Sequence, residues 1–219
     1  MFMRKFAVLM AVLLLFTCSA YARGDFYYNT ISLEEIGNSL PSRPIAVGFD
    51  VDDTVLFSSP GFYYGFENTD GPGGTNKYGP RPLSNDKFWE DMNNQFDKFS
   101  IPKPTAVKVI EMHKRRGDKI YFITARPATK SEILTPLLKK AFKLPENSPK
   151  VIFAGKTSKG VFIKKHKIAL FYGDADTDIS EANEVGIRAI RFMRSPTSTN
   201  KSKYHPGMYG EAVLENSAD

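Results

Sequence analysis

The chain has 219 residues, of which 42% are hydrophobic, which is a length and composition typical of one globular domain. Its formal net charge is +6, but the lysines and arginines are scattered along the sequence. A nucleic-acid-binding surface would interleave basic and aromatic residues on one face, so the charge does not predict a nucleic-acid polymer as partner. The densest basic run, residues 164–167, is more typical of a solvated helix end.

The amino-terminal segment over residues 1–22 has the pattern of a secretory signal peptide. Basic residues precede an apolar run over residues 6–16, which is too short for a typical transmembrane helix. Ala20 and Ala22 then supply the small residues of a cleavage site. We therefore expect cleavage after Ala22, a periplasmic mature protein that begins at Arg23, and no stable membrane anchor. An uncleaved anchor is the alternative.

Cys18 is the only cysteine of the sequence and lies inside this predicted signal peptide. A lipoprotein would keep it as an acylated first residue, but the bulky Phe16 and the neighbouring Thr17 suit lipoprotein processing poorly. If cleavage follows Ala22, the mature chain has no cysteine. Disulfides, thiolate catalysis and cysteine-ligated zinc are then excluded.

The first half of the mature chain predicts a helix, a buried strand, a long loop and a second helix. Ser32 and Glu35 form a capping-box pattern that opens a short helix over residues 32–40. Residues 45–49 are an apolar run bounded by turn formers, which is typical of a strand buried on both faces. Residues 58–84 contain six glycines and should not form regular structure for long. A helix is expected to resume near residue 85 with one apolar face. This face consists of Phe88, Trp89, Met92 and Phe96.

The second half alternates helices with short apolar strands. We predict strands over residues 119–124, 151–154, 168–172 and 187–192. We predict helices over residues 103–116, 156–165 and 178–185. A further helix should open with a capping box at Thr129 and Glu132, run toward Phe142 and be kinked by Pro136. The tail after Pro196 is polar and is expected to be a loop.

Strands that alternate with helices predict an α/β domain with a doubly wound parallel sheet, covered by helices on both faces. We expect this single domain to occupy residues 23–219, with a small cap-like insertion and substrate loop at residues 57–100. In such sheets ligands bind beyond the carboxyl ends of the strands.

Polar side chains follow three of the predicted strands at the point where each strand ends. The first strand runs into Asp50 and Asp52, the second into Thr124 and Arg126, and the fourth into a cluster that starts at Asp174. Carboxylates brought together at one edge would repel each other unless a cation or a proton intervenes. All-oxygen ligands with few histidines favour Mg²⁺ over zinc or copper. Any single acid here fits a helix cap or turn equally well, but the joint pattern favours a metal site.

Asp174, Asp176 and Asp178 also match the first half of an EF-hand calcium loop. The match fails at the sixth position, where Ile179 replaces the required glycine, and at the twelfth, where Val185 replaces the bidentate glutamate. We therefore do not expect a calcium site of this kind.

The segment FDVDDTVLFSSPGF, residues 49–62, is similar over its whole length to the first motif of the haloacid dehalogenase superfamily of phosphohydrolases. Within that superfamily the chain resembles the bacterial class B acid phosphatases, with supporting matches over residues 44–210. The resemblance implies a Rossmann-like fold and a phosphomonoesterase. It makes Asp50 the nucleophile that attacks phosphorus, and Asp52 the acid that protonates the leaving alcohol and later activates water. A spacing of two places both carboxylates on the same side of an extended segment.

The resemblance also implies which residues bind phosphate. Thr124 matches the second motif, and the backbone NH of Ala125 and the side chain of Arg126 are further phosphate contacts. The third motif is a lysine ahead of the fourth strand, which places it at Lys159, with Lys156 as the alternative.

The metal site implied by the resemblance is built on the first and fourth motifs. Mg²⁺ would bind to Asp50, to the backbone carbonyl of Asp52 and to Asp174, while Asp178 would support the site. Asp52 would need a raised pKa to begin as an acid, and an enclosed site would supply it.

Substrate preference is expected to depend on aromatic residues. The family uses aromatic side chains to hold a nucleoside or aryl group, and Phe62, Tyr63, Tyr64 and Trp89 are the candidates for such a pocket. Core packing explains Trp89 equally well. Asn200 stands where the family often has a pocket tyrosine.

We therefore expect a periplasmic, nonspecific acid phosphatase that hydrolyses nucleotides and aryl phosphates with Mg²⁺. Phosphotransfer to alcohols is a further expected activity when an acceptor outcompetes water, and the resemblance also implies a homotetramer. The alternative is an exported metal- or phosphate-binding protein without turnover, which is disfavoured because Asp52 would serve no purpose in a binder.

Overall fold

A computed structural model of the chain describes residues 28–69, 71 and 73–219. The predicted signal peptide at residues 1–22, with Cys18 and the expected cleavage site after Ala22, lies outside these residues. Among the residues described, no helix is long and apolar enough to cross a membrane.

The strands form one parallel sheet and one small antiparallel pair. In chain order they are β1 (Thr30–Ile31), β2 (Ala46–Phe49), β3 (Leu56–Phe57), β4 (Ile101–Pro102), β5 (Lys119–Thr124), β6 (Ile152–Phe153), β7 (Ile168–Gly173), β8 (Arg188–Arg191) and β9 (Ala212–Leu214). The seven-stranded sheet has the order β1, β9, β8, β7, β2, β5, β6, and every neighbouring pair is parallel. β3 and β4 form the separate antiparallel pair.

Helices cover both faces of the parallel sheet. In chain order, the α-helices of the described residues are α1 (Leu33–Ser39), α2 (Ser59–Phe66), α3 (Asp86–Asn94), α4 (Pro104–Arg116), α5 (Leu134–Ala141), α6 (Lys159–Lys165) and α7 (Asp176–Glu184), of which α2 and α3 do not pack on the sheet. Buried residues of α1, α4 and α5 join one hydrophobic cluster with Val47 and Phe49 of β2. Buried residues of α6 and α7 join a second cluster with Phe171 of β7. The predicted doubly wound α/β fold is confirmed.

Several helix ends follow from short-range sequence signals. The capping box of α1 is present, since the Ser32 hydroxyl accepts from the Glu35 backbone NH at 3.2 Å and the Glu35 carboxylate accepts from the Ser32 NH at 2.8 Å. α4 ends at Arg116 and is capped by Gly117, whose φ of 76° lies in the left-handed region that favours glycine. These ends lie within a residue of the predicted ones.

The predicted capping box at Thr129 and Glu132 is wrong, because α5 begins only at Leu134. The Glu132 carboxylate instead accepts from the Thr135 backbone NH at 2.6 Å, one turn later than predicted. Pro136 lies in the first turn of α5, where a backbone NH has no partner within the helix, so it does not have to kink it.

The glycine-rich stretch contains a helix that its composition did not predict. α2 occupies Ser59–Phe66, and its glycines serve close packing. A Cβ on Gly61 would lie 2.8 Å from the backbone oxygen of Phe96, and one on Gly65 would lie 2.6 Å from the ring of Phe88. Both glycines therefore let α2 approach the elements that follow it in the chain.

The carboxyl-terminal tail was also expected to be a loop, but it contains β9. Val213 and Leu214 of this strand are buried, and the strand inserts between β8 and β1. A strand of three residues offers too little alternation to be recognised in a polar segment.

Residues 58–100, called the insertion below, lie between the two strands of the antiparallel pair. They contain α2 and α3 and have their own cluster of buried aromatic and apolar side chains, made of Tyr78, Phe88, Met92 and Phe96. The insertion thus carries a small core separate from the two cores that flank the sheet.

Candidate active site

The site lies at the carboxyl edge of the three central strands. β7, β2 and β5 are neighbours in the sheet, and Asp50, Thr124 and Asp174 lie at or directly after their last residues. The backbone NH of Asp50 donates to Tyr172 O at 2.8 Å, which continues the β2–β7 ladder up to this residue. Parallel strands present their carboxyl ends at one edge, so the three segments meet as predicted.

Asp50, Asp174 and Asp178 form an acidic cluster in which one carboxylate oxygen of each lies within 4.8 Å of the others. All three side chains are buried. The Thr54 hydroxyl lies 3.1 Å from both Asp50 Oδ2 and Asp174 Oδ1 and thereby bridges two of them. Burial, followed by the charge of Asp178, raises the pKa of Asp50 well above its ordinary value, and the same two causes raise the pKa of Asp174 to about 6.

Lys159 supplies a cation to this cluster. Its ammonium group donates to Asp50 Oδ1 and, at 2.6 Å, to Asp178 Oδ1. Burial would lower the pKa of Lys159, but the carboxylates of Asp178 and Asp50 raise it above its ordinary range. The alternative lysine, Lys156, is exposed, so Lys159 is the one that lies at Asp50.

Asp178 uses both of its carboxylate oxygens within the protein. Oδ1 accepts from Lys159, and Oδ2 accepts from the Ala175 backbone NH at 3.0 Å, which caps the start of α7. Gly173 makes room for this side chain, since a Cβ there would lie 2.2 Å from the Asp178 Cβ. Asp178 therefore holds Lys159 in place beside Asp50.

The acidic cluster fits a hard divalent cation. Its donors are carboxylate oxygens only. Burial and the charge of Asp178 raise the pKa of both Asp50 and Asp174, which shows that the ionised cluster lacks positive charge. The Asp52 carboxylate is not part of this cluster. That the backbone carbonyl of Asp52 binds the metal stays a prediction.

Asp52 faces a different set of partners. Arg126 donates to both of its oxygens, from Nε at 2.9 Å and from Nη2 at 2.6 Å. The Ser58 hydroxyl donates to Oδ1 at 2.5 Å and the Thr124 hydroxyl to Oδ2 at 3.3 Å. Burial acts to raise the pKa of Asp52, but Arg126 and Ser58 together hold it below its ordinary value. The expectation that enclosure alone would raise this pKa is therefore wrong for the protein without substrate, because the guanidinium stabilises the ionised carboxylate.

Arg126 has further partners that the sequence did not predict. Its Nη1 donates to Asp97 Oδ2 at 2.7 Å and to Asn93 Oδ1 at 3.3 Å, and its Nη2 donates to Asp97 Oδ1 at 2.9 Å. Both partners come from the insertion and both are buried. Ala125, beside Arg126, is exposed at the end of β5. An aspartate between two aromatic residues, as at Phe96-Asp97-Lys98-Phe99, gives no sequence signal for such a contact.

The predicted aromatic pocket is divided between two places. The Phe62 ring lies 5.4 Å below the Arg126 guanidinium and packs edge-on against Trp89, with ring centroids 6.0 Å apart. Tyr64 instead packs against Phe96 and Phe99 and is half exposed. The Trp89 indole NH donates to Leu83 O at 3.0 Å. Phe62 therefore lies against Arg126 with Trp89 packed behind it, whereas Tyr64 packs elsewhere.

Residues 193–205 also contact the site, through Asp174 and Asp53. Arg194 donates from Nε to Asp174 Oδ2, a contact that the sequence did not predict. The Ser198 hydroxyl donates to Asp53 Oδ2 at 2.6 Å, and the Asn200 backbone NH donates to the Ser198 hydroxyl at 3.1 Å. Asn200 is thus held close to the segment that carries Asp52 and Asp53.

Asp176 does not take part in the acidic cluster. Its carboxylate accepts from Arg191 at 3.1 Å and lies 2.6 Å from the His205 ring. The aspartates of the apparent EF-hand pattern therefore point to different partners, which agrees with the sequence argument against a calcium loop.

The comparisons with known proteins place this geometry in a family. A family model described as the HAD superfamily, subfamily IIIB (acid phosphatase), matches residues 23–202. The chain belongs to this family. A class B acid phosphatase from Salmonella arizonae is 47% identical over 196 residues, which cover 85% of this chain and 79% of that protein. Another from Morganella morganii is 44% identical over 195 residues, with the same coverage of 85% and 79%.

A solved structure supports the fold of this HAD-superfamily acid phosphatase. A candidate phosphatase from Clostridium difficile superposes with a TM-score of 0.56 over 81% of this chain and 96% of its own. At 14% identity this likeness shows a shared fold only. Family membership makes the protein a phosphoric monoester hydrolase. Enzymes of this superfamily generally use a divalent metal, and the acidic cluster provides a place for one.

Proposed function

We propose that this acid phosphatase hydrolyses phosphate monoesters through an aspartyl-phosphate on Asp50, with Mg²⁺ as its metal. The observation that carries the proposal is the contrast between the two carboxylates of the first motif. Asp50 lies in the acidic cluster against Lys159, whereas Asp52 lies outside the cluster against Arg126. Two carboxylates in unlike environments suit two unlike roles in one reaction.

In the first half of the reaction, an Asp50 carboxylate oxygen attacks phosphorus as the bond from phosphorus to the ester oxygen breaks. Asp52, in its protonated form, gives its proton to that oxygen, so the alcohol leaves neutral. Asp50 then carries the phosphoryl group and Asp52 is ionised. The Lys159 ammonium group and the Thr124 hydroxyl, with the Ala125 backbone NH, are the donors proposed for the phosphoryl oxygens.

In the second half, water attacks the phosphorus and Asp52 accepts a proton from that water. Phosphate leaves, the Asp50 carboxylate is restored, and Asp52 is again protonated. The ion pair of Asp52 with Arg126 stabilises the ionised carboxylate between the two halves. An alcohol in place of water would give phosphotransfer by the same steps.

Asp50 and Asp174, with the backbone carbonyl of Asp52, are the residues proposed to hold Mg²⁺. When bound, the metal offsets the repulsion between the Asp50 carboxylate and the negatively charged phosphate. Carboxylate and carbonyl oxygens are the ligands that Mg²⁺ prefers.

Nucleotides and aryl phosphates are the proposed substrates, because the aromatic ring of Phe62 lies against Arg126 and is extended by Trp89, which packs on Phe62. A periplasmic location is proposed from the signal-peptide pattern at residues 1–22. The absence of cysteine after residue 18 is compatible with that compartment. A homotetramer is proposed from the family resemblance.

The test is hydrolysis of an aryl phosphate and a 5′-nucleotide after chelation and again with Mg²⁺ restored, with wild type, Asp50→Asn and Asp91→Asn. Asp91 is a buried aspartate of the insertion that binds Tyr78, Lys77 and Lys87, so it controls for the loss of a buried carboxylate. We expect metal-dependent turnover that disappears in Asp50→Asn only. Brief reaction and acid quenching should show wild type, but not Asp50→Asn, heavier by one phosphoryl group. Undiminished turnover by Asp50→Asn would refute the mechanism.

A further inference from the structure

Two roles are open to the Arg126 side chain, which are to bind the phosphate or to hold Asp52. A guanidinium has five NH donors. In this protein they are spent on three side chains: Nε and Nη2 on Asp52, Nη1 and Nη2 on Asp97, and Nη1 on Asn93. Both edges of the fork therefore already bind a carboxylate in bidentate geometry.

The burial of these groups shows which end of the network faces the site. The side chains of Arg126 and Asp97 are 1% and 0% exposed, whereas that of Asp52 is 18% exposed. Arg126 also lies over the ring of Phe62. If Arg126 turned toward a phosphate it would leave Asp97 as an unpaired buried charge, which is strongly unfavourable.

The insertion fixes this network from behind. The Asn93 amide donates to Pro127 O at 3.1 Å and to the Thr129 hydroxyl at 3.2 Å, and the Ile133 backbone NH donates to Asn93 O at 2.9 Å. The Ser100 hydroxyl donates to Asp97 Oδ1 at 3.2 Å. The insertion is thus tied both to Arg126 and to the loop that follows β5.

We propose that Asp97 and Asn93 of the insertion are positioning residues that hold Arg126 against Asp52, and that Arg126 orients Asp52 for proton transfer instead of binding the phosphate. This inference rests on the proposed function, in which Asp52 moves the proton. It differs from the role of Arg126 implied by the family resemblance, which was a direct phosphate contact.

Loss of a positioning role should slow some substrates more than others, which loss of a purely structural role would not do. Protonation matters most when the leaving alcohol is a strong base and little when it is a weak one. A misplaced Asp52 should therefore slow the hydrolysis of alkyl phosphates far more than that of nitrophenyl phosphate. Binding of inorganic phosphate, which has no leaving group, should stay unchanged.

The experiment uses the full chain with Mg²⁺ and compares wild type, Asp97→Asn and the control Asp91→Asn. The quantities are kcat/KM for an alkyl and a nitrophenyl phosphate and the inhibition constant of orthophosphate. For Asp97→Asn we expect kcat/KM to fall about 10- to 100-fold with the alkyl ester and less than about threefold with the nitrophenyl ester, as part of a general-acid effect is lost. The orthophosphate inhibition constant should stay within about twofold, and Asp91→Asn should leave the ratio of the two substrates unchanged.

Arg126→Lys provides a second variant if Asp97→Asn does not fold, because it keeps a cation between the two carboxylates but cannot bridge both. The same substrate-dependent loss is expected. Equal losses with both esters, together with an orthophosphate constant weakened about tenfold or more, would show that Arg126 binds phosphate and would overturn the proposal. Unaltered substrate selectivity in Asp97→Asn would overturn only the positioning role. A wild type inert toward both esters, or an active Asp50→Asn, would instead refute the proposed function itself.

Discussion

Gly173 should not tolerate a side chain, because the space beside it is filled by Asp178. A Cβ at residue 173 would lie 2.2 Å from the Asp178 Cβ and 2.6 Å from its Cγ and Oδ2. The contact with the Cβ cannot be relieved by a change of rotamer, so Gly173→Ala has to move Asp178 and the start of α7. The two hydrogen bonds of Asp178, to Lys159 at 2.6 Å and to the Ala175 NH at 3.0 Å, are then lengthened or lost.

The cost can be estimated from these contacts. A hydrogen bond to a charged group contributes about 1.5–3 kcal/mol, and overpacking costs about 1–3 kcal/mol. The reduced freedom of the unfolded chain returns about 0.4–1 kcal/mol. We expect Gly173→Ala to destabilise the protein by about 4 kcal/mol, which for a chain of this size lowers Tm by about 10 °C.

Gly37→Ala is the matched control, since a Cβ there meets nothing within 4 Å and the residue lies inside α1. It should stabilise the protein by about 0.5–1 kcal/mol. Thermal unfolding of both variants and of wild type, with and without Mg²⁺, measures the effect. A Tm for Gly173→Ala within about 2 °C of wild type would refute the packing argument.

Three further predictions concern charge. Burial lowers the pKa of His113, so below about pH 6.5 this histidine is protonated in the unfolded chain but remains neutral in the folded protein. The free energy of unfolding should therefore decrease with falling pH, by up to about 1.4 kcal/mol per pH unit. Urea unfolding from pH 7 to 5 should show a shallower slope in His113→Gln; an equal slope would exclude His113 as its source. Lys159→Met removes one partner of a buried ion network and should lower the free energy of unfolding by about 3–5 kcal/mol without metal. Mg²⁺ should raise Tm more in this variant than in wild type. An equal rise in both would contradict the role of the acidic cluster in metal binding. Because the pKa of Asp50 and Asp174 is raised, Mg²⁺ binding near pH 6 should release protons and weaken as the pH falls; calorimetry in two buffers of different ionisation enthalpy measures the release, and none at pH 6 would be inconsistent with these pKa shifts.

The central strands and the residues at their ends were predictable because the relevant signals are local. β5 contains a continuous apolar run over residues 120–123 and begins and ends where predicted, and a strand buried on both faces needs no partner to be recognised. The positions of Asp50, Thr124 and Asp174 at one edge follow from the parallel sheet alone. The fold by itself does not assign their roles in the reaction, which stay predictions that mutation must test.

The parts that could not be predicted depend on contacts between distant residues. β1 and β9 are two and three residues long, and their pairing with each other and with β8 makes them strands. Asp97 meets Arg126 across 29 residues of sequence, with no periodic pattern to indicate it. Thr129 resembled a helix cap by spacing, but its side chain is engaged by Asn93 and by the backbone of its own loop.

The charges around the site explain why a divalent cation fits it. In the acidic cluster, three carboxylates face two cations, since Lys159 binds Asp50 and Asp178 while Arg194 binds Asp174. In the neighbouring network, the carboxylates of Asp52 and Asp97 share the single cation of Arg126. Each network has one negative charge in excess when fully ionised. Both networks are largely buried, and an excess charge that is removed from water is costly. A cation bound in the acidic cluster would offset the excess charge of that network. A phosphate group brings further negative charge to the same place, so metal binding and protonation of Asp52 would both favour its entry.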